Sequence, residues 1–255
     1  MPILEIDNLS IRFGGIIALD RVSFDVEAGQ ILGLIGPNGA GKTTVFNCMT
    51  GVYKPTAGSI TFQRQDLLQM QPHQIIGAGM ARTFQNLELF NSMTVLEHLL
   101  VGQHSSMRAN LLECFLQLPR AVNEQRQARD RAIEVLEFLK LSQHRDVPVA
   151  GLPFGLKKRV ELARALVSSP RLILLDEPAN GLSAEEIKDL DKLIHALRDE
   201  FLLTILLVEH HMGLVMAVSD RVCVLDIGRK IAEGTPSQVQ QNPAVIEAYL
   251  GAPSA

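Results

Sequence analysis

Hydrophobic and polar residues alternate in the first part of the chain in the way that β-strands require. Val22, Phe24 and Val26 are separated by single polar residues, which is the period of a strand with one buried face. Residues 31–35 are apolar except for one glycine, as expected of a strand that is covered on both faces. Residues 57–62 have the composition of a further short strand. The N-terminal third is therefore predicted to be rich in β-structure.

The middle of the chain has a different period. Between residues 93 and 168, apolar residues recur three and four positions apart, which predicts helices. In the last third, short apolar runs at 172–175, 204–208 and 222–225 are separated by helical stretches, and this alternation is typical of a parallel sheet. We expect an α/β fold in which both ends of the chain form one sheet and a helical segment is inserted between them.

The composition is that of a globular chain with little net charge. Hydrophobic residues make up 47%, and 24 Lys and Arg residues oppose 28 Asp and Glu residues, giving −4. This charge argues against a nucleic-acid-binding protein that relies on overall positive charge. The three cysteines, Cys48, Cys114 and Cys223, form no C-x-x-C pair, so we expect a reducing compartment and no disulfide framework. No apolar run reaches the roughly 20 residues of a membrane-spanning helix, and no basic leader begins the chain.

A glycine-rich segment directly after residues 31–35 carries the first candidate chemistry. It matches the pattern G-x-x-x-x-G-K-[ST], in which backbone amides and a helix N-terminus bind phosphate groups. Lys42 is expected to reach the β- and γ-phosphates of ATP, and the Thr43 hydroxyl is expected to hold Mg²⁺. A glycine-rich turn without a ligand is the alternative. The predicted ATP-binding residues are Gly36, Pro37, Asn38, Gly39, Ala40, Gly41, Lys42, Thr43 and Thr44.

Two acidic residues follow the apolar run at 172–175. In a parallel sheet the carboxyl end of a strand faces the ligand crevice, so Asp176 and Glu177 are candidates for nucleotide chemistry. Asp176 is expected to hold Mg²⁺ through water, because Mg²⁺ keeps much of its hydration shell. Glu177 is expected to act as the general base on the water that attacks the γ-phosphate. An exposed acidic turn is the alternative.

Together, these segments resemble the ATP-binding subunit of an ATP-binding cassette (ABC) transporter. Residues 81–85 resemble the Q-loop of that family, and residues 206–210 resemble its switch segment. The resemblance implies that Gln85 contacts Mg²⁺ and the attacking water, that His210 contacts the γ-phosphate, and that Phe13 stacks on adenine. Considered singly, each of these three residues also has a purely structural interpretation, which for Phe13 is a position in the core of a strand.

The resemblance also implies a fold. It is a P-loop NTPase (RecA-like) fold, with a parallel-sheet core, an antiparallel β subdomain and an inserted α-helical subdomain. The chain would form a single ABC nucleotide-binding domain, residues 1–255. Its ATP-binding core would cover about residues 1–90 and 168–255, and its helical subdomain about residues 91–167.

The segment that resembles the family signature departs from the usual L-S-G-G-Q. Pro153 replaces the serine that, in the family, contacts the γ-phosphate of ATP held by the opposing subunit. The backbone amides of Phe154 and Gly155 remain at a helix N-terminus, so these two residues are predicted to contact that ATP. Ser183 and His211 each stand where the family has an aspartate. We therefore expect hydrolysis that is reduced but not absent.

One branch of the family is particularly similar. It comprises the ATPases of bacterial branched-chain amino-acid importers (the LivG-like type). The similar segments are residues 9–19, 43–48, 82–85, Phe90 with 93–97, and 242–251. The resemblance implies an ATPase that energises a membrane importer for branched-chain or related amino acids. The residues themselves do not identify the solute, since urea and amide importers use similar ATPases.

The partners follow from the resemblance. Two ATPase subunits, identical or paralogous, would meet head to tail on transmembrane permease subunits at the cytoplasmic face of the bacterial inner (plasma) membrane. A periplasmic or extracellular solute-binding protein would act indirectly, and no nucleic acid is expected. The basic cluster at residues 157–159 is interpreted as a solvated helix face.

Other functional classes remain open from the sequence. One is a nucleotide-binding regulatory subunit whose hydrolysis is impaired by the altered signature. The others are a soluble family member in DNA repair or translation and a P-loop small-molecule kinase. The chain has one phosphate loop and no sustained heptads, which argues against the class in DNA repair or translation. It also has both Gln85 and His210, which a small-molecule kinase would not explain.

Overall fold

The computed structural model describes residues 2–83, 89–103, 113 and 118–250. The chain forms two compact units, one of Met1–Ile75 with Arg171–Ala255 and one of Ile76–Pro170. The strands of the described residues are β1 (Pro2–Phe13), β2 (Ile16–Glu27), β3 (Ile31–Ile35), β4 (Ala57–Phe62), β5 (Gln65–Asp66), β6 (Met80–Arg82), β7 (Leu172–Asp176), β8 (Thr204–Val208), β9 (Arg221–Asp226) and β10 (Arg229–Gly234). The α-helices are α1 (Lys42–Met49), α2 (Pro72–Gly77), α3 (Val95–Gly102), α4 (Pro119–Phe138), α5 (Phe154–Leu166), α6 (Ala184–Phe201), α7 (Met212–Val218), α8 (Pro236–Gln240) and α9 (Pro243–Leu250).

An antiparallel sheet in the first unit has the strand order β2-β1-β4-β5. Ile6 in β1 lies opposite Phe24 in β2 and Ile60 in β4, and all three side chains are buried. The alternating pattern along β2 therefore turns one face of this sheet toward the core, as the sequence predicts.

The second sheet of this unit has the order β10-β9-β3-β8-β7. β3 pairs in parallel with β8 and β9, β7 pairs in parallel with β8, and β10 is antiparallel to β9. Every residue of β3, β7 and β8 is buried, which confirms the continuous apolar runs as strands covered on both faces. As a result, the carboxyl ends of these three strands lie side by side.

Some elements of this unit differ from the prediction. Helix α1 begins at Lys42, within the predicted phosphate-binding segment, because the glycine-rich turn leads directly into it. The short strand β5 and the strand β10 were not predicted. β10 carries charged residues at Arg229, Lys230 and Glu233, so it lacks the apolar alternation that marks a strand.

The second unit is mainly helical in the residues that the structure describes. Helix α3 begins with a capping box, in which the Thr94 side chain accepts from the Glu97 amide while the Glu97 carboxylate accepts from the Thr94 amide. Val95, Leu136 and Val160, from α3, α4 and α5, are fully or almost fully buried. The α/β class with a helical middle is therefore confirmed. None of the described helices has the length and apolar character needed to cross a membrane.

Two of the three cysteines lie in the described part of the chain. Cys48 and Cys223 are buried free thiols. Burial raises the pKa of Cys48 to about 11 and that of Cys223 to about 12, so both stay protonated near neutral pH. Cys114 lies outside the described residues.

Candidate functional site

The predicted phosphate-binding segment forms the turn between β3 and α1. Gly36 and Gly41 have φ angles of 151° and 104°, a region that L side chains rarely adopt. A Cβ atom on Gly36 would overlap the carbonyl oxygen of Leu225, and one on Gly41 would lie 2.8 Å from the carbonyl oxygen of Ala18. Both positions therefore require glycine for space as well as for conformation.

Lys42 is the first residue of α1, and it is 7% exposed. Its Nζ donates hydrogen bonds to the carbonyl oxygens of Gly36 at 2.7 Å and Pro37 at 3.0 Å. Burial lowers the pKa of Lys42, whereas the negative charges of Glu177 and Asp176 act to raise it. The ammonium group thus lies within the loop and in the field of the two predicted acids.

The rest of the loop is held by its own backbone. The Ala40 amide donates to the Pro37 carbonyl oxygen at 3.1 Å, and the Ala40 carbonyl oxygen accepts from the Gly228 amide at 3.0 Å. Asn38 and Gly39 are exposed, as is Thr43 at the start of α1, while Thr44 is half-buried. The loop therefore presents backbone and a hydroxyl group to the outside at a helix N-terminus, an arrangement that suits an anion.

The two acids lie at the end of β7. Asp176 is its last residue and is 3% exposed, which argues against an exposed acidic turn. Glu177 has a φ of 47°, and its amide donates to the carbonyl oxygen of Val208 at 2.8 Å. A non-glycine residue in the left-handed region is a strained feature of a kind found at functional sites. The Glu177 Oε2 atom lies 3.8 Å from Nδ1 of His210, whose side chain is 56% exposed.

Glu209 belongs to the same region and was missed in the sequence analysis. It is completely buried, and its carboxylate accepts hydrogen bonds from the backbone amides of Ala179, His210 and His211. The available sequence signal was an acidic residue between a buried strand and the switch histidine. Glu209 lies within residues 206–210, which resemble the switch segment, but that resemblance implies a role only for His210.

Tyr249 in α9 was also missed. Its side chain makes a hydrogen bond with the backbone of Gly36, which acts to lower the pKa of the phenol, while burial raises that pKa more strongly. Beside it is an apolar cavity of about 320 Å³, lined by residues that include Ile35, Met212 and Val245. The C-terminal helix therefore contacts the first residue of the phosphate loop.

Two departures from the family pattern occur at helix starts. The Ser183 hydroxyl accepts from the Glu186 amide at 3.3 Å, and the Glu186 carboxylate accepts from the Ser183 amide at 2.8 Å, which forms a capping box on α6. The Nδ1 atom of His211 accepts from the Leu214 amide at 3.2 Å and so caps α7. Aspartate is a good N-cap residue, and serine is equally good. At both positions the residue present therefore caps the helix that follows it.

The other predicted residues lie elsewhere in the chain. Phe13 is 44% exposed and packs edge to face against Tyr53, with ring centroids 5.1 Å apart, so it is not part of the strand core. In the second unit, Phe154 and Gly155 are the first two residues of α5, and Pro153 is its N-cap. Phe154 is 47% exposed. Gln85 lies outside the described residues.

Comparison with known proteins identifies the family. Residues 19–180 match the family described as ABC transporter, and residues 229–255 match the family described as branched-chain amino acid ATP-binding cassette transporter. The chain belongs to the ATP-binding subunits of ABC transporters. This ABC ATPase has the P-loop NTPase fold that the motifs predict, and the sequence resemblance to the LivG-like branch is confirmed.

Individual relatives match over almost their full length. The ABC ATPase is 46% identical to the high-affinity branched-chain amino acid transport ATP-binding protein LivG of Salmonella typhimurium, over 98% of both chains. It is 44% identical, with the same coverage, to the protein of that description named BraF in Pseudomonas aeruginosa. The crystal structure of the ADP conformation of MJ1267, an ATP-binding cassette of an ABC transporter, is 34% identical with a TM-score of 0.85, covering 99% of this chain and 100% of that one.

The Gly36→Ala variant tests the conformation of the phosphate loop. We expect a loss of stability of about 2 kcal/mol, because the new Cβ atom meets the Leu225 carbonyl group in a backbone region that is strained for alanine. The matched control is Gly29→Ala, which also has a positive φ but has no atom within 4 Å of the new Cβ. Urea unfolding followed by far-UV circular dichroism compares the two, since the chain has no tryptophan. Equal midpoints would contradict the packing argument.

Proposed function

We propose that this ABC ATPase energises a membrane importer of branched-chain or related amino acids. The support is the description of its relatives, which are branched-chain amino acid transport proteins similar over 98% of the chain. The match of residues 229–255 to the branched-chain amino acid family adds a second, separate segment. The single observation that carries the catalytic part of the proposal is the approach of Glu177 Oε2 to His210 Nδ1, at 3.8 Å.

We infer that Glu177 is the general base and that His210 contacts the γ-phosphate. Glu177 follows the carboxyl end of β7, and His210 follows that of β8, so both side chains belong to the edge that also carries the phosphate loop. A carboxylate there can accept a proton from water as it attacks in line. The partly exposed imidazole of His210 can donate to a phosphate oxygen on the same side. Gln85 would also contact the attacking water, and this role is proposed from its motif.

ATP binding is assigned to the phosphate loop and to Phe13. Lys42 would exchange its hydrogen bonds with the carbonyl oxygens of Gly36 and Pro37 for charge-assisted bonds to the β- and γ-phosphates. The remaining residues of the segment, Gly36–Thr44, would donate backbone amides to phosphate oxygens. Phe13 is exposed enough to stack on adenine.

The residues at this edge also fit Mg²⁺. A hydroxyl group and carboxylate oxygens are the ligands that this hard cation prefers, and Thr43 and Asp176 supply them, with Asp176 acting through water. Gln85 would be the third group. When bound with ATP, Mg²⁺ neutralises charge on the β- and γ-phosphates.

We propose that the chain acts as a single nucleotide-binding domain in a pair. Its ATP-binding core is assigned to about residues 1–90 and 168–255, and its helical subdomain to about 91–167. A second ABC ATPase subunit, identical or paralogous, would supply Phe154 and Gly155 to the ATP held by the first. The pair would bind permease subunits at the cytoplasmic face of the bacterial inner membrane, with a solute-binding protein outside. In the part of the chain that the structure describes, nothing favours the regulatory alternative.

The Glu177→Gln variant tests the general base. We expect the steady-state rate of ATP hydrolysis to fall by roughly 100-fold or more, because the amide cannot accept the proton. With ATP and Mg²⁺, trapped nucleotide should convert monomer to dimer, measured by light scattering. The control is Glu185→Gln, which changes an exposed glutamate of α6 in the same way. A rate within threefold of wild type would contradict the base, and a monomer that binds ATP would point to a different partner subunit.

The Pro153→Ser variant tests the altered signature. Restoring the hydroxyl that the family uses should add a charge-assisted hydrogen bond to the opposing ATP and raise hydrolysis about tenfold. Steady-state phosphate release measures the rate. Pro148→Ser is the control, since Pro148 likewise precedes a helical turn in the same unit. If the two variants have the same rate as wild type, Pro153 does not limit hydrolysis.

The transported solute is tested on the assembled transporter. We expect leucine, isoleucine and valine, presented with the solute-binding protein, to stimulate ATP hydrolysis by the complex in proteoliposomes. The physical reason is that hydrolysis is coupled to closure of the ATPase pair. A ligand shifts the equilibrium between the open and the closed pair only if it has different affinities for these two states. Glutamate serves as the control solute. Stimulation by urea or by glutamate alone would contradict the substrate class and leave the ATPase assignment intact.

A further inference from the structure

One carboxylate joins the two segments that carry the proposed catalytic groups. The Oε1 atom of Glu209 accepts from the Ala179 amide at 2.7 Å, and Ala179 lies two residues after Glu177. The Oε2 atom accepts from the amides of His210 at 2.9 Å and His211 at 3.0 Å. The same side chain is therefore bonded to the segment after the general base and to the switch segment.

This contact is fully enclosed. Glu209 has 0% exposure, and a glutamate is rarely buried so completely unless its oxygens are paired. Both oxygens are paired here with backbone donors, and a carboxylate has only acceptor atoms to offer them. Because each bond goes to the main chain, the contact fixes the path of two loops and is independent of which side chains those loops carry.

The carboxylate extends the strand pairing beyond the sheet. Asp176 at the end of β7 lies opposite Val208 at the end of β8, and the Glu177 amide still donates to the Val208 carbonyl oxygen at 2.8 Å. Both strands end at this point, β7 at Asp176 and β8 at Val208. Glu209 bridges them at this point, one residue before His210.

We propose that Glu209 is a positioning residue for ATP hydrolysis, holding the switch segment at His210 against the segment that follows Glu177. The inference rests on the proposed roles of Glu177 and His210. In this proposal, Glu209 maintains the distance of 3.8 Å between Glu177 Oε2 and His210 Nδ1. A misplacement of about 1 Å in an active site can lower a rate by roughly 100-fold, so a contact that fixes this separation has a kinetic consequence.

Two conservative substitutions break the bridge in different ways. Glu209→Gln keeps the shape of the side chain but replaces one acceptor oxygen by an NH₂ group, which meets the N–H of Ala179 or those of the two histidines. Glu209→Asp keeps both oxygens but is one methylene shorter, so it can bond one segment and not both. Neither substitution alters the phosphate loop.

Steady-state kinetics of the full-length ATPase test the proposal. For Glu209→Gln we expect kcat to fall by at least tenfold, with KM for ATP within threefold of wild type, because Lys42 and its loop are untouched. Glu161→Gln is the matched control, since Glu161 in α5 is also buried, at 2% exposure, and has no proposed part in catalysis. Both variants are assayed well below their melting temperatures. A kcat within threefold of wild type, or an equal loss in Glu161→Gln, would overturn the proposal.

Backbone hydrogen exchange gives a second readout that kinetics alone cannot supply. In ¹⁵N-labelled Glu209→Gln, the amides on one side of the bridge, either Ala179 or His210, should exchange at least tenfold faster than in wild type, according to which side the NH₂ group faces. If kcat falls but the Ala179 and His210 amides both stay protected, the bridge is not the cause and the proposal fails. If Glu209→Gln does not fold, Glu209→Asp is held to the same two criteria.

Two reference variants separate this inference from the proposed function. Glu177→Gln and His210→Ala are assayed in parallel. If both keep the wild-type kcat, the proposed catalytic roles are wrong whatever Glu209 does, and the inference fails with them. If both lose activity while Glu209→Gln keeps it, the catalytic roles stand and the positioning role alone is overturned.

Discussion

The parallel register of β3, β8 and β7 is the constraint on which the rest of the site depends. β8 pairs with β3 on one side and with β7 on the other, and all three run in the same direction. Since their carboxyl ends lie at one edge of the sheet, the phosphate loop, Asp176 with Glu177, and Glu209 with His210 all begin there. Segments far apart in the sequence are thereby brought together by the backbone, before any side chain contributes. Complete burial of these strands makes the register costly to change.

Beyond the strand ends, a few contacts with the main chain set the finer geometry. Lys42 bonds two carbonyl oxygens of its own loop, and Glu209 bonds amides from two different loops. The first contact can be exchanged, because a substrate phosphate is a stronger partner for an ammonium group than a carbonyl oxygen. The Glu209 contact is enclosed and both of its oxygens are paired, so it is suited to persist while the Lys42 contact changes. The site thus combines one adaptable contact with one fixed contact.

The sequence predicted the parts of the site whose partners are local. The continuous apolar runs identified β3, β7 and β8, and the glycine spacing identified the phosphate loop, because each pattern reflects the conformation of its own segment. The contact between Glu209 and Ala179 spans thirty positions and depends on strand order, so no local pattern contains it. The contact of Tyr249 with Gly36 has the same character. Strand β10 was missed for a different reason, since its pairing with β9 tolerates charged residues on a half-exposed edge.

The departures from the family pattern have unequal physical consequences. Ser183 and His211 replace aspartates, but each still supplies a side-chain acceptor to a helix start, so the helices that follow keep their caps. Pro153 is different, because α5 begins there without any side-chain cap and the proline has no amide to donate. The lost hydroxyl is therefore not replaced by a neighbouring group at that helix start. Any reduction in hydrolysis relative to a cassette with the common signature should therefore arise at Pro153, where a hydroxyl group is lost. It should not arise at Ser183 or His211, whose side chains still accept a hydrogen bond from a backbone amide.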